Sequence, residues 1–326
     1  MDIRHLRYFI AISEERSLSA ASNRLGVAQP SLSQHVIRLE EELGVTLIVR
    51  SPRGILLTEE GQLLVRHARE ICRSLDFCVA EMKEQGGTVR GTVAFGMPPS
   101  VSMVMSVPLA ETVRVEYPQV RLRAIEAMSG FVKSWIEDGT VDIGFLYDID
   151  TKSQFRARHI LDEDLFFFAG ADNWPLATPP GAPVRMADLS ALPMILPSPN
   201  HGLRRTITRH TEARGLDLDV VLEMDAMTQI KDLVARGSGF TIFAPAAAHD
   251  YVARGELLKS PIIDPVMTRP VYLVNNPARA QTTACRTIER LTLDVARDLV
   301  RRGIWEGRLT PAFIDDQPAD KVLAKP

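Results

Sequence analysis

Apolar residues in the first sixty positions recur at intervals of three and four, the period of a helix packed on one face. This spacing predicts one helix over residues 3–15 and a second that begins at a capping Ser17. A third predicted helix opens at Gln29 and ends at Gly44. Two short apolar runs then flank a Pro-Arg-Gly tip within residues 45–57, which predicts a β-hairpin.

The second and third predicted helices are joined by a short turn at Gly26-Val27, as in a helix-turn-helix unit. In that unit the N-terminal turn of the second helix enters the major groove of DNA. Polar side chains there can bond base edges, and hairpin arginines can reach phosphates or the minor groove. An alternative is a helical pair with a purely structural role. We predict DNA contacts from Gln29, Pro30, Ser31, Ser33, Gln34, Arg50 and Arg53.

The spacing of apolar residues within 59–87 predicts one long helix. Apolar or small side chains recur along it at heptad spacing, and this row is here called the seam. Thr58 and the two acids after it form an N-terminal cap, and Gly86-Gly87 ends the helix as a hinge. The seam can pair two chains or pack on its own domain, and we interpret it as a dimer contact because a helix between domains has little core of its own to cover. We interpret Cys72 as incidental. The seam residues are Leu64, Ala68, Ile71, Leu75, Cys78 and Met82.

From residue 88 onward, strand-like runs alternate with helix-like runs, which predicts an α/β fold with largely parallel sheets. The residues alone allow one large domain or two small lobes between residues 88 and 302. The tail 303–326 is polar and contains prolines, and we interpret it as an extension without an assigned role.

In open α/β sheets, ligands bind beyond the C-terminal ends of the strands, against helix N-termini. Several predicted strands end at polar side chains that could converge on one cleft. Each serine could instead be a plain N-cap, His201 a hydrogen-bonding loop residue, and Tyr147 a packing residue at the sheet edge. The predicted effector contacts are Ser100, Ser129, Tyr147, Ser198 and His201.

Composition narrows the class of protein. Of the 326 residues, 45% are hydrophobic and 24% are charged, as in a soluble globular chain. The net charge of −3 is unlike that of a general nucleic-acid coat protein, so DNA binding must come from local geometry. Three cysteines without metal-ligand spacing favour a reducing compartment. We expect no signal peptide, no membrane span and a cytoplasmic location.

We find no motif that indicates catalysis. The chain lacks a Gly-rich phosphate loop, a Cys/His metal cluster and a Gly-x-Ser-x-Gly elbow, so we expect no enzyme, no metal and no cofactor. A redox sensor would need a reactive cysteine pair in the α/β region, residues 88–302, where only Cys285 lies. A constitutive DNA-binding regulator without an effector, or a small-molecule-binding protein, remains an alternative.

Residues 17–36 and 39–44, with the hairpin 50–54 leading into 57–61, resemble the reading head of LysR-type transcriptional regulators. Two departures stand out. Leu47-Ile48 occupies the place of the family's usual Leu-Phe pair, and Gln34 stands where many members carry arginine.

The resemblance implies an all-α winged helix-turn-helix domain at 1–58, a dimerisation linker helix at 59–87 and a two-lobed, periplasmic-binding-protein-like α/β domain at 88–302. It implies that the chain crosses twice between the lobes, near Leu161–Asp164 and Pro265–Thr268. Lobe I would comprise 88–163 and 267–302, and lobe II 164–266.

The resemblance also implies partners. These are double-stranded promoter DNA and a small-molecule effector such as an anion or aromatic acid, with RNA polymerase added if the protein is an activator. It further implies a homodimer that assembles into a homotetramer. The family's effector contacts fall at the positions of Ser100, Ser129, Tyr147 and the loop 197–201.

Overall fold

The computed structural model describes residues 1–51, 54–83, 88–149 and 154–314. The helices are α1 Ile3–Glu15, α2 Leu18–Leu25, α3 Gln29–Leu43, α4 Glu59–Lys83, α5 Pro99–Glu116, α6 Ser129–Asp138, α7 Gly202–Glu212, α8 Met227–Ala235, α9 His249–Ala253, α10 Thr283–Arg301 and α11 Pro311–Ile314. The strands are β1 Ile48–Ser51, β2 Gly54–Leu57, β3 Gly91–Met97, β4 Val120–Glu126, β5 Ile143–Leu146, β6 Arg156–Asp164, β7 Phe166–Gly170, β8 Val184–Arg185, β9 Met194–Leu196, β10 Val220–Glu223, β11 Thr241–Phe243, β12 Leu257–Ile263, β13 Thr268–Asn275 and β14 Arg308–Leu309.

The first three helices and the β1–β2 hairpin share one apolar core and are here called the reading head. Ser17 caps α2 by accepting a hydrogen bond from the Ala20 amide, and Gly26 and Gly44 end α2 and α3 in the left-handed conformation. The hairpin is antiparallel and joins the α1–α2 turn through a bond from the Ile55 amide to the Arg16 carbonyl. The helix-turn-helix with a hairpin wing is therefore present as predicted.

Helix α4 follows the head and carries the predicted seam. The seam has a buried N-terminal part and an exposed C-terminal part. Leu64 and Ala68 are buried in the head's own core. The C-terminal members of the seam are exposed, and Met82 is 67% exposed. The interpretation of the whole seam as a dimer contact is thus wrong for its first two members, because the first turns of α4 cover the head. Cys72 is also buried in that core, so it is not incidental.

The six-stranded sheet of lobe I has the order β14-β6-β13-β5-β3-β4. Strand β3 runs parallel to β4 and β5, whereas β13 runs antiparallel to both β5 and β6. The prediction of largely parallel sheets is therefore wrong. The chain leaves this sheet along β6 and returns along the neighbouring strand β13, so these two strands run in opposite directions.

Lobe II has its own apolar core and a four-stranded sheet of order β11-β7-β12-β8, in which β7 is antiparallel to β11 and β12. Strands β9 and β10 pair in parallel beside it. At the boundary with lobe I, the Leu165 amide donates to the Met267 carbonyl at 2.8 Å.

The segment after α10 belongs to lobe I. Trp305 and Phe313 are fully buried in the lobe I core, and β14 pairs with β6. The interpretation of 303–326 as a separate extension is wrong for residues 303–314, because their few apolar side chains complete that core. Residues 315–326 lie outside the described part. Among the helices of the described residues, none is long and apolar enough to cross a membrane.

Candidate functional site

The N-terminal turn of α3 presents a polar surface. Its N-cap residue, Ala28, provides no side-chain cap, so the amides of the first turn are not satisfied by a cap. Pro30 occupies the first turn, where its missing N–H costs nothing. Of the predicted contact residues on α3, four are exposed and Ser33 is half-buried; the exposed four are Gln29, Pro30, Ser31 and Gln34.

Hydrogen bonds hold two of these side chains in place. The Ser19 hydroxyl donates to Gln29 Oε1 at 3.2 Å, and Arg50 Nη2 donates to Ser33 Oγ at 2.8 Å. The second bond links strand β1 of the wing to α3, so wing and helix present one continuous surface. Sequence reasoning missed Ser19, which lies on the neighbouring helix. Arg53 lies outside the described residues.

The acidic run at the end of α3 is engaged within the head. Glu40 Oε1 accepts from the Leu47 amide at 2.7 Å and the Ile48 amide at 3.2 Å. Glu42 pairs with the N-terminal ammonium at 2.6 Å. The Glu40 carboxylate fixes the start of the wing, and both acids lie at the opposite end of α3 from its polar turn. The modest net charge of the chain is therefore compatible with a polar DNA-binding surface.

The structure corrects the helix starts in lobe I. Helix α5 begins at Pro99 with Pro98 as N-cap, and α6 begins at Ser129 with Met128 as N-cap. Ser100 therefore lies inside the first turn of α5, not ahead of the helix, and neither serine is an N-cap. Ser100 is buried, whereas Ser129 is half-buried.

Ser100 belongs to a bonded group of four residues, here called the cleft cluster: Ser100, Tyr147, Glu163 and Arg269. The Ser100 and Tyr147 hydroxyls are 2.5 Å apart, and Arg269 Nη2 donates to Ser100 Oγ at 2.8 Å. Arg269 Nε donates to Glu163 Oε2 at 2.5 Å, and its guanidinium lies 3.8 Å from the centroid of the Tyr147 ring. Four residues that are distant in sequence thus form one polar network.

Electrostatics in the cleft cluster follow from burial. Glu163 is 0% exposed and Arg269 is 5% exposed, so each charge depends on the other. Burial alone lowers the pKa of Arg269, but the Glu163 carboxylate reverses this and the guanidinium pKa is raised. Desolvation raises the pKa of Tyr147 well above its usual range, so its hydroxyl stays protonated. The cluster thus offers hydroxyls and a fixed cation.

Lobe II contributes the loop before α7. The amide and hydroxyl of Ser198 both donate to the Asp225 carboxylate, at 2.9 and 3.0 Å, and these bonds lower the pKa of Asp225. His201 is the N-cap of α7 and its Nδ1 accepts from the Leu203 amide at 3.1 Å. Burial is the main cause that lowers the pKa of His201, so the ring is neutral at pH 7.

Of the five predicted effector contacts, the structure joins only Ser100 and Tyr147 directly. Among the described residues, no hydrogen bond links Ser129, Ser198 or His201 to the cleft cluster. Sequence reasoning missed Glu163 and Arg269. A partial signal was available, because acids stand at the first predicted lobe crossing and Arg269 directly follows the second.

A buried lysine also lies where the lobes meet. Lys231 Nζ, on α8 of lobe II, lies 3.5 Å from Met103 Sδ on α5 of lobe I. The ammonium is 4.5 Å from the centroid of the Tyr251 ring and 3.7 Å from Asp250. Burial lowers the pKa of Lys231, which the nearby Asp250 partly offsets. Sequence reasoning missed this contact, which no local pattern marks.

Two family profiles match the chain. The bacterial regulatory helix-turn-helix protein of the lysR family matches residues 3–62, and the LysR substrate binding domain matches residues 86–297. The nitrogen assimilation regulatory protein nac of Klebsiella aerogenes is 28% identical over 309 residues, which cover 94% of this chain and 98% of that protein.

Solved structures share the fold. A full-length OxyR variant from Pseudomonas aeruginosa has a TM-score of 0.70 at 21% identity, and the match covers 91% of this chain and 98% of that one. Full-length CbnR in complex with its target DNA has a TM-score of 0.63 at 19% identity, covering 91% and 99%.

The protein is a DNA-binding transcriptional regulator with an effector-binding domain, and not an enzyme, as the fold, the polar surface of α3 and the family profiles together indicate. The chain belongs to the LysR family of bacterial regulators.

Proposed function

We propose that this regulator reads double-stranded promoter DNA with the first turn of α3 and the wing, and responds to a small effector bound at the cleft cluster. The exposed polar turn of α3, tied to the wing by the Arg50–Ser33 bond, carries the DNA part of the proposal. A surface held in one geometry loses less conformational freedom when it binds.

Individual roles follow from side-chain chemistry. Gln29 can form a two-bond contact with an adenine edge, and Pro30 can contact a thymine methyl. Ser31, Ser33 and Gln34 reach bases or phosphates, whereas Arg50 and Arg53 contact the backbone or minor groove. Because Gln34 is neutral, base discrimination falls mainly on Gln29.

We propose that the exposed part of α4 pairs two chains. Exposed apolar side chains recur along it at intervals of three and four positions, on the face turned away from the head's core: Ile71, Leu75, Cys78, Val79 and Met82. A solvated apolar stripe of this length is unfavourable, and a second copy would cover it. A dimer presents two reading heads to two half-sites on DNA.

Assembly into a tetramer would use the lobes. Val107 and Val115 on α5 of lobe I are exposed, as are Val221 and Leu222 on β10 of lobe II. In the sheets that the described residues form, β4 and β10 are edge strands, and these exposed side chains lie next to them. Apolar side chains beside a sheet edge support a contact between lobes of neighbouring chains.

The cleft cluster favours an effector with an oxygen anion, such as an aromatic acid. Bonds to Glu163 and Ser100 fix the Arg269 guanidinium beside two hydroxyls. An effector that binds one arrangement of the lobes more tightly shifts the population toward it, and with it the spacing of the heads on DNA. Such a regulator acts in the cytoplasm, and as an activator it would also contact RNA polymerase.

A gel-shift titration on DNA that flanks the protein's own gene tests this function. With competitor DNA and a salt series, we expect sequence-selective retardation that weakens in Ser33→Ala and Arg53→Ala. Ser13→Ala is the matched control, since the Ser13 hydroxyl bonds the Ile10 carbonyl within α1. Retardation that is equal for all sequences, or equal losses in the control, would overturn the assignment of the α3–wing surface.

A further inference from the structure

The buried carboxylate of the cleft cluster has a second partner, which comes from the end of the chain. Glu163 Oε2 receives the Arg269 bond, and Glu163 Oε1 accepts from Trp305 Nε1 at 2.8 Å. Trp305 is 0% exposed. One continuous series of bonds therefore runs from Trp305 through Glu163 and Arg269 to Ser100 at the first turn of α5.

The carboxylate depends on both donors. A fully buried carboxylate is stabilised only when charge and hydrogen bonds replace its lost hydration. The indole N–H can only donate, so it occupies one carboxylate oxygen of Glu163. The other oxygen is then directed to Arg269, which fixes the plane of the guanidinium against the Tyr147 ring.

The segment that carries Trp305 is anchored on both sides of Glu163. Strand β14 pairs Arg308 with Asp162 and Leu309 with Leu161, and the Arg308 guanidinium pairs with Asp164. Gly307 lies close to β6, since a Cβ there would be 2.8 Å from Leu161 Cδ1 and 3.0 Å from the Asp162 carbonyl oxygen. These contacts place the indole at Glu163 rather than leaving it to general packing.

This segment lies beyond the part of the chain that the family profile covers, which ends at residue 297. We propose that Trp305 is a positioning residue for the effector site: acting through Glu163, it orients the Arg269 guanidinium toward Ser100. The proposal rests on the proposed function of the cleft cluster, and it assigns the C-terminal segment a role in tuning that site.

A thiol introduced at position 100 reports on the guanidinium without any ligand. In a Ser100→Cys protein, the ultraviolet absorbance of the thiolate is followed against pH. The absorbance of a reference protein that differs only in keeping Ser100 is measured in the same way and subtracted. A cation held beside the thiol lowers its pKa by roughly one to three units. Adding Trp305→Phe should raise that pKa by roughly one unit, because the guanidinium is no longer fixed.

The matched control is Trp174→Phe, since Trp174 Nε1 donates to the Thr178 carbonyl at 2.6 Å in lobe II. It removes the same kind of bond away from the cleft and should leave the titration of the introduced thiol unchanged. If Trp305→Phe does not fold, a benzothiophene analogue at position 305 keeps the indole shape and lacks the N–H. An unchanged thiol pKa in either Trp305 variant would overturn the proposal.

Selective DNA binding of the protein with Ser100 intact separates this proposal from the proposed function. If that protein shows no preference for any DNA sequence, the proposed function fails, while the thiol titration of the Ser100→Cys variants still decides the role of Trp305.

Discussion

The reading head and the cleft cluster both consist of polar side chains, but the head exposes them to solvent and the cluster buries them. On α3 the side chains proposed to contact DNA are mostly exposed and stand on a local scaffold, so most of them lie within six positions of one another. In the cleft, Glu163 and Arg269 are buried and 106 positions apart in sequence. A surface that must meet DNA can leave its polar groups to water, whereas a buried site must satisfy every charge internally. Substitutions should therefore affect stability in the cleft and affinity in the head.

We expect the largest loss of stability from Glu163→Ala. It leaves the Arg269 guanidinium and the Trp305 N–H buried without their acceptor, which should cost about 3–5 kcal/mol in the free energy of unfolding of the effector-binding domain. Denaturant unfolding followed by circular dichroism measures it. Asp188→Ala breaks the exposed pair with Arg185 and should change little. Equal, small losses in both variants would show that the buried pair is not an internal requirement.

A second prediction concerns the scaffold of the head. Gly61→Ala should destabilise the head by about 1–3 kcal/mol, because a Cβ at Gly61 would overlap the Leu47 carbonyl oxygen at the base of the wing. Thermal unfolding of the full chain measures it. The matched control is Gly202→Ala in α7, where the nearest atom to a Cβ would be 3.9 Å away. An unchanged head in Gly61→Ala would mean that the wing base can shift freely.

A third prediction uses the divided seam of α4. Ile71→Asp should weaken self-association at least about tenfold, near 1.4 kcal/mol, and leave the head folded. Sedimentation over a concentration series measures it. Ala68→Asp, one turn earlier, places a charge in the head's core and should unfold the head instead. Unchanged association in Ile71→Asp would remove the exposed stripe as the dimer contact.

The smallest predicted effect is a pH dependence in lobe II. Burial lowers the pKa of His201, so the unfolded chain binds a proton more readily than the folded one. This contribution to stability is present above the ordinary histidine pKa, about 6.5, and is lost as pH falls below it. His201→Asn keeps an N-cap acceptor for the Leu203 amide and should flatten the loss between about pH 7 and 5. Identical pH profiles would contradict the role of His201.

The same contrast explains what sequence could predict. The head was predictable because caps such as Ser17 and Gly44 act over a few residues. Strand β6 was missed because most of its residues are charged, and β12 because Pro261 interrupts its apolar run. Arg269 and Trp305 were missed because their partners are more than a hundred positions away. Long-range pairing leaves no periodic trace in sequence.

The most direct test of the account is the ratio of dissociation constants for flanking operator DNA and scrambled DNA, measured for wild-type protein and Gln29→Ala at one salt concentration. Gln62→Ala, an exposed glutamine on α4, is the matched control. We predict that Gln29→Ala loses about 1–3 kcal/mol of specific binding and retains its binding to scrambled DNA, while the control keeps the wild-type ratio. An unchanged ratio in Gln29→Ala would contradict the claim that the first turn of α3 reads the bases.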